Sequence, residues 1–357
     1  MEKRIILSSD LLQKTVNLFD KLVGTIEPSL RSLILYHERN LRIRGTDGCL
    51  VADLIVVPKD LKIGKKAYII PIDYLRHFLR EKNNAIEVII GEDLQFVYEN
   101  ESLIIKERKR DIPRQFAALS QSIEIEKGSL RSILDFGSSH LSQGDTVRLL
   151  IKEKELFCIG ISDSIISCAR MPFSLGNYVC LEIPYESIRH LVKSLKLIKK
   201  EKILCSLEKD SLSFEVGALS LKLCAEIKED RKIEEICNLM FEPETSSRWI
   251  IESSVIKDSI SRASKIQKVE YSDAELILYP HKIVFSVFKK NSIFNTEVEV
   301  LYSENPKYMK VKIRADKLYS LLRRMNTKRI HLELTESGLI IWDKRKKVIF
   351  FKSSFLL

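Results

Sequence analysis

Residues 70–80 read IPIDYLRHFLR, and 113 residues later, at 183–193, the chain reads IPYESIRHLVK. A weaker third copy, IRADKLYSLLR, lies at 313–323. The sequence after each copy repeats too. NAIEVIIGEDLQFVYENESLIIKER, EKILCSLEKDSLSFEVGALSLKLCAEI and KRIHLELTESGLIIWDKRKKVIFFKSSF each read as three short apolar runs broken by polar turns. The unit is about a third of the 357 residues, which is domain size and too long for a solenoid. The chain must therefore build one plan three times.

A shorter period lies inside the unit. The first third divides into KRIIL, SSDLLQKTVNLFDKLV, SLILYHE, NLRIRG and CLVADLIVV, then AYIIP, IDYLRHFLREK, AIEVII, LQFVYE and SLIIKE. Each half predicts a strand, a helix and three strands. Leu75, Phe78 and Leu79 form one apolar helix face; Ile188, Leu191, Val192 and Leu195 form the next; Leu318, Leu321, Leu322 and Met325 form the third. Asp73, Glu186 and Asp316 share a column in the first turn, where negative charge suits the helix dipole. Pro71 and Pro184 precede it, where a missing N–H does no harm. SSD at 8–10, KGS at 127–129 and ESS at 252–254 supply N-cap candidates. The stretches 110–122 and 237–248 lack alternation and read as junctions. The expectation is an α+β chain of three domains, 1–119, 120–243 and 244–357, each of two half-units. Helices would lie on one side of curved antiparallel sheets, where both kinds of element bury their apolar faces.

No apolar run approaches the roughly 20 residues of a membrane span, and the N-terminus lacks the pattern of a signal peptide. The seven cysteines have no CxxC spacing and read as reduced, buried thiols of a cytoplasmic protein. Nucleotide-binding glycine loops and HExxH are absent, so neither enzyme nor cofactor is indicated. His77 and His190 share a repeat column, but equivalent positions in separate domains cannot share an ion, and both read as surface histidines. No metal site is expected. Asp47, in the GTDG turn at 45–48, reads as a turn residue.

Net charge is +10, which favours a polyanionic partner or reflects a solvated lysine-rich surface. The solvent faces of the helices bear on that choice. Arg76 aligns with Arg189, and Arg80 aligns with Lys193 and Arg323. Lys196 and Arg324 extend these faces; Lys14, Lys21, Arg131, Lys257 and Arg262 lie on the other helices. Cations recurring at equivalent places suit sequence-independent contact with phosphates of double-stranded DNA.

With LILYHERNLRIRGTDGCLVADLIVV, the two IP-led helices and VIKDSISRASKI in this order, the chain resembles the bacterial sliding clamp, the β subunit of DNA polymerase III. The resemblance implies two crescent subunits joined head to tail as a ring, helices on its inner face and duplex DNA through the hole. It also implies a non-catalytic role in replication, at the nucleoid. The ring would tether the replicative polymerase, with a clamp loader as a further partner. In the second domain, ISDSIISCARMP replaces the family's TDGHRL pattern, and the terminus SSFLL replaces MPMRL. The pocket for short apolar partner peptides is accordingly expected at Ser162, Asp163, Ser164, Ile165, Ile166, Phe355, Leu356 and Leu357. At the homodimer interface, Leu103 and Ile105 would pack against Ile260 and Ile266, with Lys106 and Arg108 at the rim. A rival reading is a clamp-derived interaction platform that no longer encircles DNA.

Overall fold

The structure is a computed structural model. It describes residues 2–357 except 24–30, 110, 112, 114–115, 117–120, 163–164, 176–177, 209, 229–230, 271–272, 290, 352–354 and 357. Six times the chain runs strand, helix, three strands. The first half-unit is β1 (Lys3–Ser8), α1 (Ser9–Phe19), β2 (Ser32–His37), β3 (Leu41–Thr46) and β4 (Leu50–Val57). The second is β5 (Lys66–Pro71), α2 (Ile72–Leu79), β6 (Ala85–Ile90), β7 (Leu94–Tyr98) and β8 (Glu101–Ile105). The third is β9 (Ile123–Glu126), α3 (Lys127–Gly137), β10 (Thr146–Lys152), β11 (Glu155–Ser162) and β12 (Ile165–Pro172). The fourth is β13 (Val179–Pro184), α4 (Tyr185–Leu197), β14 (Lys202–Glu208), β15 (Ser211–Val216) and β16 (Leu219–Cys224). A short strand, β17 (Glu226–Ile227), and a helix outside the repeat, α5 (Arg231–Phe241), follow. The fifth half-unit is β18 (Thr245–Glu252), α6 (Ser253–Glu270), β19 (Asp273–Leu278), β20 (Lys282–Lys289) and β21 (Ser292–Glu299), with β22 (Tyr302–Glu304) appended. The sixth is β23 (Met309–Ile313), α7 (Ala315–Leu322), β24 (Arg329–Thr335), β25 (Gly338–Trp342) and β26 (Lys346–Phe351), ending in β27 (Phe355–Leu356).

Pairing follows one rule throughout. The lead strand of each half-unit joins the three strands of its sister. So β1 pairs with β6 and β5 with β2; β9 pairs with β14 and β13 with β10; β18 pairs with β24 and β23 with β19. Neighbouring thirds then fuse through their last strands. Antiparallel β4–β16 makes an eight-stranded sheet, and antiparallel β12–β26 makes a ten-stranded one. Sheets of four strands (β1-β6-β7-β8) and five (β21-β20-β19-β23-β27) remain. The chain packs as two compact units, residues 1–127 with 189–226, and 128–188 with 227–357. The boundaries drawn at 119 and 243 do not coincide with this division, because the fused sheets cut through the middle third.

Burial explains the helices. Leu75 and Leu79 of α2, Ile188, Leu191, Val192 and Leu195 of α4, and Leu318, Leu321 and Leu322 of α7 are at most 2% exposed. Close helix–sheet approach needs small residues: a Cβ on Gly45 of β3 would sit 2.6 Å from Phe19 Cδ1 and 2.7 Å from Val23 Cγ1. The cap reading fails at α1, where Ser8 holds the N-cap position but makes no side-chain capping bond. The surface reading holds for His77, which is exposed, and fails for His190. His190 is buried, with its Nδ1 2.7 Å from Asp47 Oδ2, while Asp47 Oδ1 accepts the N–H groups of Cys49 and Leu50.

Candidate nucleic-acid interface

In the first unit, the buried face of α4 turns Lys193 and Lys196 into solvent. Lys21, in the turn after α1, is exposed too, and Arg189 is half-buried. The Lys193 ammonium is pushed below its ordinary range, first by burial and then by Arg189, Lys21 and Lys196. The charges acting on it are all positive. Such a cluster destabilises itself and gains when phosphate approaches.

Other cations of this unit are held by acids. Arg31 donates to Asp73 at 3.0 and 3.1 Å and to Asp20 at 3.1 Å. Arg76 reaches the same pair, 2.8 Å from Asp73 and 3.2 Å from Asp20. The hydrogen bond from Arg31 is the main cause holding the Asp73 carboxyl below its usual range. This mesh ties α1 to α2, so Arg76 acts first as a structural residue. Lys14 lies 2.5 Å from Asp10 in an exposed helical pair, and Arg80 lies 3.6 Å from Glu81 with both side chains in water. Exposed pairs of this kind contribute ~1 kcal/mol or less and yield readily to a polyanion.

In the second unit, Arg324 forks onto Asp135 at 2.7 and 3.2 Å and donates to Ser320 O at 2.6 Å. It fastens the end of α7 to α3. Lys257 donates to Met325 O at 2.5 Å, and burial pushes its ammonium down. Both, expected to face phosphate, make bonds within their own fold. Arg262 and Arg323 are exposed, and Arg131 is half-buried on α3. Sequence reading missed the acids that neutralise these cations, because Asp20 and Asp135 sit on different elements from the arginines they bind.

The isoleucines expected to line an apolar groove, Ile165 and Ile166, are buried. Ser162 is buried too, and the two isoleucines sit opposite Phe350 and Ile349 across the β12–β26 seam. Ile166 joins Leu150, Phe157, Ile159, Ile340 and Ile349 in a core that α5 covers with Ile233, Cys237 and Met240. The spacing of Ile233, Ile236, Cys237 and Met240 is helical and was the available signal for α5. Phe355 and Leu356 pair through β27 with Val311 and Lys310. Asp163, Ser164 and Leu357 lie outside the described residues.

Of the expected dimer contacts, Ile260 is wholly buried and Ile105 is 5% exposed, so the chain's own cores already cover both. Neither has free area to offer a second chain. Leu103 and Ile266 are half-buried, and Lys106 and Arg108 are exposed, Arg108 bridging to Tyr68. The large apolar residues that face solvent on these edges are Ile104 of β8 and Ile293 of β21. Among the described residues, no cluster of three or more His, Cys, Asp or Glu could hold a metal ion, and no helix is long and apolar enough to cross a membrane.

No protein-family model matches the sequence, and no curated protein matches it. Solved structures do. A DNA polymerase sliding clamp from Bacillus subtilis matches with a TM-score of 0.83 at 11% identity, over 100% of both chains. The chain has the sliding-clamp fold. The DNA polymerase III β subunit of Pseudomonas aeruginosa matches with a TM-score of 0.81 at 14% identity, over 98% of this chain and 99% of that one. That of Thermotoga maritima matches at 0.80 and 11%, over 100% of both. The α+β architecture read from the repeats is the architecture of these clamps. At such identity the likeness lies in the fold, so the chemistry of this clamp-fold chain rests on its own residues.

Proposed function

We propose that this chain is a DNA sliding clamp: a head-to-tail homodimer that encircles duplex DNA and tethers the replicative polymerase. The pairing rule carries the proposal. In two places the last strand of a third's first half-unit pairs with the last strand of a neighbouring third's second half-unit: β4 with β16, and β12 with β26. A third application would join β21 to β8. Within one chain both are sheet edges. Edges like these invite another strand, and the exposed Ile104 and Ile293 lie on them. A second copy satisfies β8 with its β21 and β21 with its β8, which closes a ring.

The cluster of Lys21, Arg189, Lys193 and Lys196 supplies the attraction for duplex DNA. It contacts charge without reading bases. No tight grip is needed, because a closed ring stays on DNA by topology. The polymerase and clamp loader would bind through short apolar peptides, at a surface other than the buried Ile165 and Ile166. Sedimentation at micromolar protein tests the assembly: twice the chain mass supports the ring, and a monomer that persists as concentration rises rejects it.

A further inference from the structure

We propose that Cys49 and Cys224 form a reversible cross-strand disulfide that staples β4 to β16. The register of these strands places Leu50 opposite Leu223, so the next pair is Cys49 and Cys224. The Cys224 N–H donates to Cys49 O at 2.9 Å, and the Cys49 thiol donates to Cys224 O at 2.5 Å. Residues directly opposite in an antiparallel pair point to the same face with Cα atoms roughly 4.5–5.5 Å apart. That lies inside the range of about 4.4–6.8 Å that a disulfide spans. The Cys49 backbone is fixed as well, because Asp47 Oδ1 accepts its N–H at 2.9 Å.

Exposure singles out this pair. Cys224 is exposed and Cys49 partly so, whereas Cys158, Cys168, Cys180, Cys205 and Cys237 are buried. Cys168 and Cys237 have their sulfurs 4.0 Å apart, but at 0% and 4% exposure they are screened from oxidants and serve as an internal comparison. The oxidant is a small-molecule disulfide such as oxidised glutathione. The Cys224 thiolate attacks one glutathione sulfur, breaks its S–S bond and releases one glutathione thiolate. The Cys49 sulfur then turns from the Cys224 carbonyl, attacks the Cys224 sulfur as thiolate and releases the second glutathione. Two protein thiols lose their protons and two electrons; oxidised glutathione gains them as two reduced molecules. A solvent-facing disulfide is also open to attack by reductant, which makes the step reversible. The bond joins positions 175 residues apart, so it constrains the unfolded chain and holds the seam shut.

The test equilibrates the full-length protein in oxidised and reduced glutathione mixtures, blocks remaining thiols by alkylation, and maps peptides by mass spectrometry. The expected product joins Cys49 to Cys224 with loss of two hydrogens and reverts in dithiothreitol. The five buried thiols should react only after unfolding. Oxidation should raise the urea midpoint of the wild type and leave that of Cys49→Ser and Cys224→Ser unchanged. Separate glutathione adducts on Cys49 and Cys224, a joined Cys168–Cys237 pair in their place, or an unmoved wild-type midpoint would each overturn the proposal.

Discussion

His190 Nδ1 lies 2.7 Å from Asp47 Oδ2, and both side chains are buried. Asp47 belongs to the turn between β3 and β4, His190 to α4, and the β4–β16 seam joins the sheets they serve. Because Asp47 also accepts two backbone N–H groups, its loss strands more donors than the loss of His190. Asp47→Ala should cost about 3 kcal/mol of unfolding free energy and His190→Ala somewhat less, since a buried partner is left alone in each. Urea denaturation measures both; a loss below ~0.5 kcal/mol for Asp47→Ala would contradict the role given to this contact.

His140 gives a pH dependence. Burial first, and then the charge of Lys317, lowers its imidazole from 6.5 to about 4. The unfolded chain therefore takes up a proton near pH 6.5 that the folded chain refuses until about pH 4. The stability from keeping this ring neutral is fully present above pH 6.5 and is lost as pH falls through that window, by about 1.4 kcal/mol per pH unit. Denaturation of wild type and His140→Gln between pH 7 and 4 (the window set by that shift) should give a shallower slope for the variant. Equal slopes would place the titration elsewhere.

Two kinds of cation should separate in mutagenesis. Arg324→Ala leaves Asp135 without its fork and should lower stability by ~2–3 kcal/mol. Lys193→Glu with Lys196→Glu should leave stability within about 1 kcal/mol and weaken DNA association. The salt slope should flatten by roughly 0.9 for each lost phosphate contact. Paired melting curves and DNA titrations at several salt concentrations check this; an unchanged slope would remove the α4 cations from the DNA-facing surface.

The edge pairing has its own prediction. Ile104→Asp and Ile293→Asp together place charges on β8 and β21, at side chains 46% and 62% exposed within one chain. Sedimentation should show the double variant as a folded monomer and the wild type at twice the chain mass. A double variant that remains dimeric would point to a different interface.

The strand–helix–three-strand plan could be read from sequence because each half-unit carries its own alternation and helical spacing, as at Leu75–Leu79 and Leu318–Leu322. The exchange of lead strands and the seams could not. β1 carries an apolar pattern that suits any sheet, and only tertiary packing selects β6 for it. The candidate site was readable to the extent that it lies on one helix: Lys193 and Lys196 of α4 are exposed, whereas Arg324 is held by an acid 189 positions away and Arg76 by Asp20 as well as by its own helix's Asp73. His190 looked like a surface residue because its partner lies 143 positions away. Helix α5 was missed because its second half, Cys237–Phe241, falls in the stretch 237–248 read as a junction, although its apolar spacing was there.

The central claim is that the protein holds DNA by enclosing it. The direct measurement loads the protein, with its cognate loader, on nicked circular DNA, isolates the complex by gel filtration in moderate salt, and cuts the circle once. The account predicts that the protein stays with intact circles and runs off the ends after the cut. Equal retention on circular and linear DNA would mean that it grips the duplex, and would contradict the clamp function even with the clamp fold in place.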